Sequence, residues 1–179
     1  MFGLIGKVLI KVLGGTRNER IVRSRLRIVQ ERVNPLEEQI RALSDEQLLA
    51  RSGDLKRRRQ EGASRNSIMA EAFAMTREAS RRARNHRQYD VQLVAGMILD
   101  EGWIAEEATG EGKTIACYPA IYMAWLDDLK VHVVTVNDYL VQRDAEFARP
   151  VFAMLGVTVG FITSDMAAYG QEAQVRKQS

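Results

Sequence analysis

The chain has 179 residues, 46% hydrophobic and 27% charged, which suits one good-sized domain with an appendage rather than a disordered polymer. Its single cysteine, Cys117, excludes an internal disulfide framework, and no apolar run approaches the roughly 20 residues that cross a bilayer. The net charge of +3 is uneven: residues 1–60 carry 14 Lys/Arg against 7 Asp/Glu, and the remainder carry 12 against 16. Such a basic half could meet anionic lipid or nucleic acid, or could simply be a solvated arginine-rich helical surface.

In chain order, "MFGLIGKVLIKVLGG" comes first. It resembles a secretory signal, but Lys7 and Lys11 interrupt the apolar run and no small-residue cleavage site follows. Phe2, Ile5, Leu9 and Leu13 recur at helical spacing, the pattern of a helix lying in a membrane interface or packed on the protein's own body. Thr16 and Glu19 form a capping box ahead of "RIVRSRLRIVQERV". Asn34 is expected to stop that helix and cap the next, with Pro35 in its first position and Glu37 in its third. Ser44 and Gln47 repeat the box before "LLARSGDLKRRR", and after the loop "EGASRN" the run "SIMAEAFAMTREASRRAR" predicts a fourth helix.

The character changes near "NHRQYD". "VQLVAGMILDEG" predicts a helix closed by Gly102, and "WIAEEA" a short strand leading into a glycine loop. "TIACYPAIYMAWLDDL" predicts a helix that tolerates Pro119 only within its first turns, so it should start near Ile115. "KVHVVTVN" and "GVTVGFIT" are β-branched and apolar, like strands buried on both faces, and Asn137 or Asp138 caps the helix between them. The expected order is β-α-β-α-β, hence an α/β fold with a parallel sheet. With two open edges so narrow a sheet invites association. The tail "SDMAAYGQEAQVRKQS" is polar and expected to fray.

The loop is "TGEGKT", residues 109–114. Phosphate needs several backbone N–H groups at once, and Gly110 and Gly112 allow the tight turn and close approach. Lys113 offers a mobile positive charge, Thr114 a hydroxyl for magnesium, and the following helix its positive end. The full pattern expects a glycine where this chain has Glu107. Upstream, Tyr89 and Gln92 stand three apart, so a ring and an amide that could cover and read adenine share one side of a helix start.

The run "YDVQLVAGMIL…IAEEATGEGKTIACYPA" with "VHVVTVNDYLVQRDAE" and the upstream "AFAMTREASRR" resembles the SecA preprotein translocase ATPases over about residues 1–165. The resemblance implies a cytoplasmic motor of two RecA-like domains, peripheral at the inner face of the cell membrane. Such a motor hydrolyses ATP with Mg2+, docks on the SecYEG translocon at anionic membrane lipid, and drives preprotein substrates through it. It implies an incomplete RecA-like P-loop parallel sheet with a helical N-terminal extension. The divisions would be 1–85 basic and helical, 86–164 nucleotide-binding, and 165–179 tail.

Carried onto this chain, the resemblance gives Gln92 the adenine contact, with Tyr89 beside it. Thr109, Gly110, Glu111, Gly112, Lys113 and Thr114 fall in the phosphate loop, with Thr114 as the magnesium contact, and residues 131–146 in a coupling segment. The N-terminal amphipathic stripe matches the lipid-contacting element. The family usually has Met and a basic residue at Glu107 and Ala108, so this loop loses a positive charge and gains a negative one, worth about 1 kcal/mol against anion binding if exposed.

Hydrolysis also needs a strand-end carboxylate and arginines. None of Asp127, Asp128, Asp138, Asp144, Glu146, Asp165 and Glu172 sits at the end of an apolar strand in an Asp-Glu pair. The chain is therefore expected to bind ATP without turning it over, as the N-terminal portion of a longer translocase or a truncated relative. The alternative is a nucleotide-independent module that binds membrane or partner. A nucleic-acid helicase is disfavoured, because Phe2 is the sole aromatic of the basic half and stacking platforms are missing.

Overall fold

The computed structural model describes residues 16–164 and Met166, and every described element is helical. The N-terminal stripe of Phe2, Ile5, Lys7, Leu9, Lys11 and Leu13 lies outside the described residues, as do Asp165, Glu172 and most of the tail. Helix α1 spans Arg17–Ile28, and its Thr16–Glu19 capping box forms with both reciprocal bonds. The helical path does not stop at Asn34. A π-helical turn, Val29–Val33, and a 3-10 turn, Asn34–Leu36, lead directly into α2, Glu37–Arg41. Asn34 keeps helical angles (φ −57°, ψ −39°), so it is not the expected cap. Pro35 has no N–H and its ring would crowd the carbonyl four residues back; the widened turn accommodates it. The Asn34 side chain is thereby free to bond elsewhere.

Helix α3, Asp45–Gln60, starts from the Ser44–Gln47 box and buries Leu48, Ser52 and Leu55 along one face. Helix α4, Arg65–Arg84, is the centre of the molecule. It buries residues on every side, Phe73, Met75 and Arg77 among them, and packs against α2, α3 and the two C-terminal helices. Helix α5, Asp90–Asp100, ends as predicted at Gly102, whose φ of 78° lets Trp103 N–H return to Ile98 O.

Helix α6, Lys113–Ala116, breaks at Cys117 and α7 resumes at Tyr118–Leu126, which places Pro119 in a first turn. The carbonyl that the Pro119 N–H would have met belongs to Ile115, and the Gln88 side-chain amide donates to it instead. Helix α8, Asp138–Ala153, is capped by Asn137, whose Oδ1 accepts from Leu140 N–H at 2.9 Å. Pro150 inside it is handled likewise: Arg84 donates to Glu146 O at 2.5 Å and to Phe147 O at 2.9 Å. Both prolines therefore cost less than a bare helix interior implies, because a distant side chain meets the freed carbonyl.

The expected parallel sheet, and with it the α/β class, is not found: among the described residues no strand forms. Residues 103–107, 130–135 and 157–163 lie outside helices without laddering to one another. Their apolar side chains are largely open to water, at 94% for Ile104, 89% for Val134 and 73% for Ile162. β-Branched runs carry the preference for a pleated, buried surface, but a strand exists only where a neighbour supplies the ladder.

The uneven charge is largely reconciled inside the molecule. Arg25 grips Glu101 through two 2.7 Å bonds, Lys56 meets Asp128 at 2.8 Å, and Arg59 and Arg65 share Asp127. Lys56 also sits 3.9 Å over the Trp125 ring.

Candidate nucleotide-binding site

The loop between α5 and α6 turns at residues 108–111 and enters α6 from Gly112. Gly110 (φ 90°) and Gly112 (φ 83°) both occupy the left-handed region, where a side chain would be strained. The first bonds closing α6 run from Ile115 and Ala116 N–H to Gly112 O, so the N–H groups of Lys113 and Thr114 precede them. The Lys113 side chain is exposed and that of Thr114 half-buried. Thr109, Gly110 and Glu111 are exposed on the turn.

Tyr89 and Gln92 flank the start of α5, but in different settings. Tyr89 is the N-cap residue and 70% exposed; Gln92 is buried to 5%. Gln92 Oε1 accepts from Tyr89 N–H at 2.9 Å and its Nε2 donates to Glu111 O at 2.7 Å. The amide thus joins the helix start to the phosphate-type loop. Gly112 lies against it so closely that an added Cβ would sit 2.3 Å from Gln92 Nε2. Below the loop, Gly96 permits a comparable approach, since a Cβ there would meet Ala116 O at 2.9 Å.

Two supporting residues carried no signal in the sequence. Gln88 backs the α6–α7 junction through Ile115 O, and Arg77 reaches the first residue of α5 from the middle of α4. Their partners lie 27 and 13 positions away, so no local pattern announces them. Cys117, next to the loop, donates to Thr114 O at 3.2 Å. Burial pushes its thiol up to about 11, which keeps it protonated and unreactive at neutral pH. Among the described residues the carboxylates after Thr114 have partners: Asp127 has Arg59 and Arg65, Asp128 has Lys56, Asp144 has Arg143, Asp138 accepts from Ser164 N–H, and Glu146 accepts from the Gln142 amide.

Glu107 is half-buried at the loop's entry. Burial holds its carboxyl above the ordinary value, with Glu111 adding to that and Lys113 opposing it. A carboxylate here competes with an anion for the Lys113 charge. The Glu107→Gln variant should therefore bind a triphosphate about fivefold more tightly at pH 8. As pH falls through the raised value the wild-type carboxyl gains a proton, so the advantage should shrink on acidification. Titration of both proteins with magnesium and ATP from pH 8 to pH 5 checks this.

A groove of about 920 Å³ runs beside the loop between α1 and α5, with Ile21, Val94 and Ile98 against Glu107 and Glu111. Among the described residues no helix is long and apolar enough to cross a membrane, and no three His, Cys, Asp or Glu side chains converge as a metal site.

Residues 9–178 match the profile of the SecA DEAD-like domain. The chain is 50% identical over 155 residues to the protein translocase subunit SecA of Ectopseudomonas mendocina, covering 87% of this chain and 17% of that protein. It is equally similar, 50% over 155 residues, to that of Stutzerimonas stutzeri, with the same coverage. Against the SecA subunit of Neisseria meningitidis it is 46% identical over 164 residues, 92% of this chain and 18% of that one. The chain thus spans less than a fifth of the length of these relatives.

Proposed function

The chain belongs to the SecA DEAD-like domain family, and from that premise we propose that residues 86–164 hold ATP with Mg2+ as the nucleotide-binding portion of a SecA-type protein-translocating ATPase. The observation that carries this reading is the loop: two left-handed glycines deliver the chain into α6 with Lys113 exposed and Gln92 fastened to Glu111 O. The residue types suit a triphosphate, because the N–H groups of Lys113 and Thr114 precede the first bonds of α6 and the exposed Lys113 adds an ammonium beside them. Thr114 would give its hydroxyl to the magnesium ion, and Gln92 with Tyr89 would meet the adenine. Magnesium, when bound with the nucleotide, neutralises phosphate charge.

The relatives are named protein translocase subunits; the partners proposed for this chain are the SecYEG translocon, preprotein substrates and, through residues 1–15, anionic membrane lipid. The site of action would be the cytoplasmic face of the membrane. The 179 residues by themselves should bind ATP and not turn it over, since the described carboxylates that follow Thr114 are engaged in ion pairs, a loop bond or, for Glu146, a bond from Gln142. A phosphate-release assay on the purified chain tests that half of the reading. The expected result is release no faster than in Lys113→Ala; steady release that Lys113→Ala abolishes would overturn it.

A further inference from the structure

Arg77 is 1% exposed, and a guanidinium so far from water must be held by several partners. Its NH2 donates to Asp90 Oδ1 at 2.8 Å, and its NH1 to Asn34 Oδ1 at 2.7 Å and Glu37 Oε2 at 3.4 Å. Asn34 Nδ2 closes the triangle by donating to Asp90 Oδ2 at 3.1 Å. Both carboxylate oxygens of Asp90 are therefore occupied from outside its own helix. Glu37 is gripped a second time by Arg87, through two 2.6 Å bonds.

The arrangement brackets one short stretch. Arg87 is tied to Glu37, Asp90 is tied to Arg77 and Asn34, and Tyr89 lies between them. Gln92 accepts from Tyr89 N–H, three residues back, and its Nε2 donates to the loop at Glu111 O. Side-chain bonds to Asp90, the Tyr89–Asp90 backbone and the Gln92 amide thus link the N-terminal helical arm, residues 17–41, to the loop. An acidic residue in the first turn would already suit the helix dipole while open to water. Asp90 also gives the buried Arg77 its counter-charge, so the bonds that neutralise the guanidinium fix the start of α5 as well.

We propose that Arg77, Asp90 and Asn34 are positioning residues for adenine recognition, setting Tyr89 and Gln92 in register and making base selectivity depend on the N-terminal arm. This rests on the reading of Tyr89 and Gln92 as the base-contacting pair. The physical reason is that hydrogen-bond discrimination between bases fails steeply with misalignment, whereas phosphate binding by a flexible loop and one ammonium tolerates it. Loosening the arm should cost selectivity before it costs phosphate affinity.

The test compares Asp90→Asn and Asn34→Ala with wild type by titration with ATP, GTP and inorganic tripolyphosphate, each with magnesium. Asp127→Asn, which weakens the pairs with Arg59 and Arg65 and touches none of the cluster, controls for lost stability. The expected result is an ATP-over-GTP preference reduced about tenfold in Asp90→Asn and about threefold in Asn34→Ala. Tripolyphosphate affinity should stay within about twofold of wild type, and the Asp127→Asn preference should be unchanged. If Asp90→Asn does not fold, Asn34→Ala carries the test, because it leaves the Arg77–Asp90 pair intact. Variants that melt earlier yet keep the wild-type preference would reduce the cluster to a structural one and overturn the proposal alone. A wild type that binds ATP and GTP equally would instead remove the base-contact reading beneath it.

Discussion

Replacing Arg77 with methionine should destabilise the chain by about 3 kcal/mol, the low end of what removing one partner of a buried ion pair costs. Methionine fills most of the stem's volume, so the loss comes from what is left behind. Asp90 and Glu37 lose a charge that faces them at 2.8 and 3.4 Å, and Asn34 loses its donor at 2.7 Å. Both carboxylates keep some contact with water and Glu37 keeps Arg87, which holds the cost at the low end. For a chain of this size the loss appears as a fall in melting temperature of about 6–12 °C, read by circular dichroism. The pairing also has a pH signature. The Arg87 hydrogen bond holds the Glu37 carboxyl below its ordinary value, with the charges of Arg87, Arg77 and Arg41 assisting. The stability this brings is present above the ordinary carboxylate value and is lost as pH falls through the lowered one. The Arg77→Met protein should accordingly lose less on acidification. A melting temperature within 2 °C of wild type would contradict this account of the cluster.

The second large effect is expected at Gly112. Alanine there must adopt φ 83° and set its Cβ 2.3 Å from Gln92 Nε2. The amide end of a glutamine can swing away where there is room, but Gln92 is buried and bonded on both sides. Relief comes only by moving the loop or releasing the amide, and either one would separate the proposed phosphate and base contacts. Gly110 supplies the comparison: its φ is 90°, yet an added Cβ meets nothing within 4 Å. Gly110→Ala should weaken ATP binding roughly tenfold through backbone strain, and Gly112→Ala roughly a hundredfold through strain and clash together. Equal losses at the two positions would mean that Gln92 contributes nothing to shaping the loop.

Much of the helical scaffold was legible because its signals are local. Thr16 with Glu19, Ser44 with Gln47 and Asn137 start helices and Gly102 closes one, each acting within a few residues. Asn34 misled for the opposite reason. It has the composition of a cap, but its side chain is drawn to Arg77 and Asp90, 43 and 56 positions away. The strand expectation failed on the same ground. Val133, Val134 and Val136 have the preference for a sheet, but a ladder is a relation between segments, and these side chains are left exposed. At the loop the sequence indicated which residue types stand together. It gave no sign that Gln92 spends its amide on Glu111 O, or that Gln88 meets the carbonyl that Pro119 leaves free.

Calorimetric titration of magnesium and ATP into the wild-type chain and Lys113→Ala tests the central claim most directly. The account predicts saturable heat with one nucleotide per wild-type chain and at least a roughly tenfold loss of affinity in the variant. No heat from the wild type at millimolar ATP, or equal binding by both proteins, would contradict it.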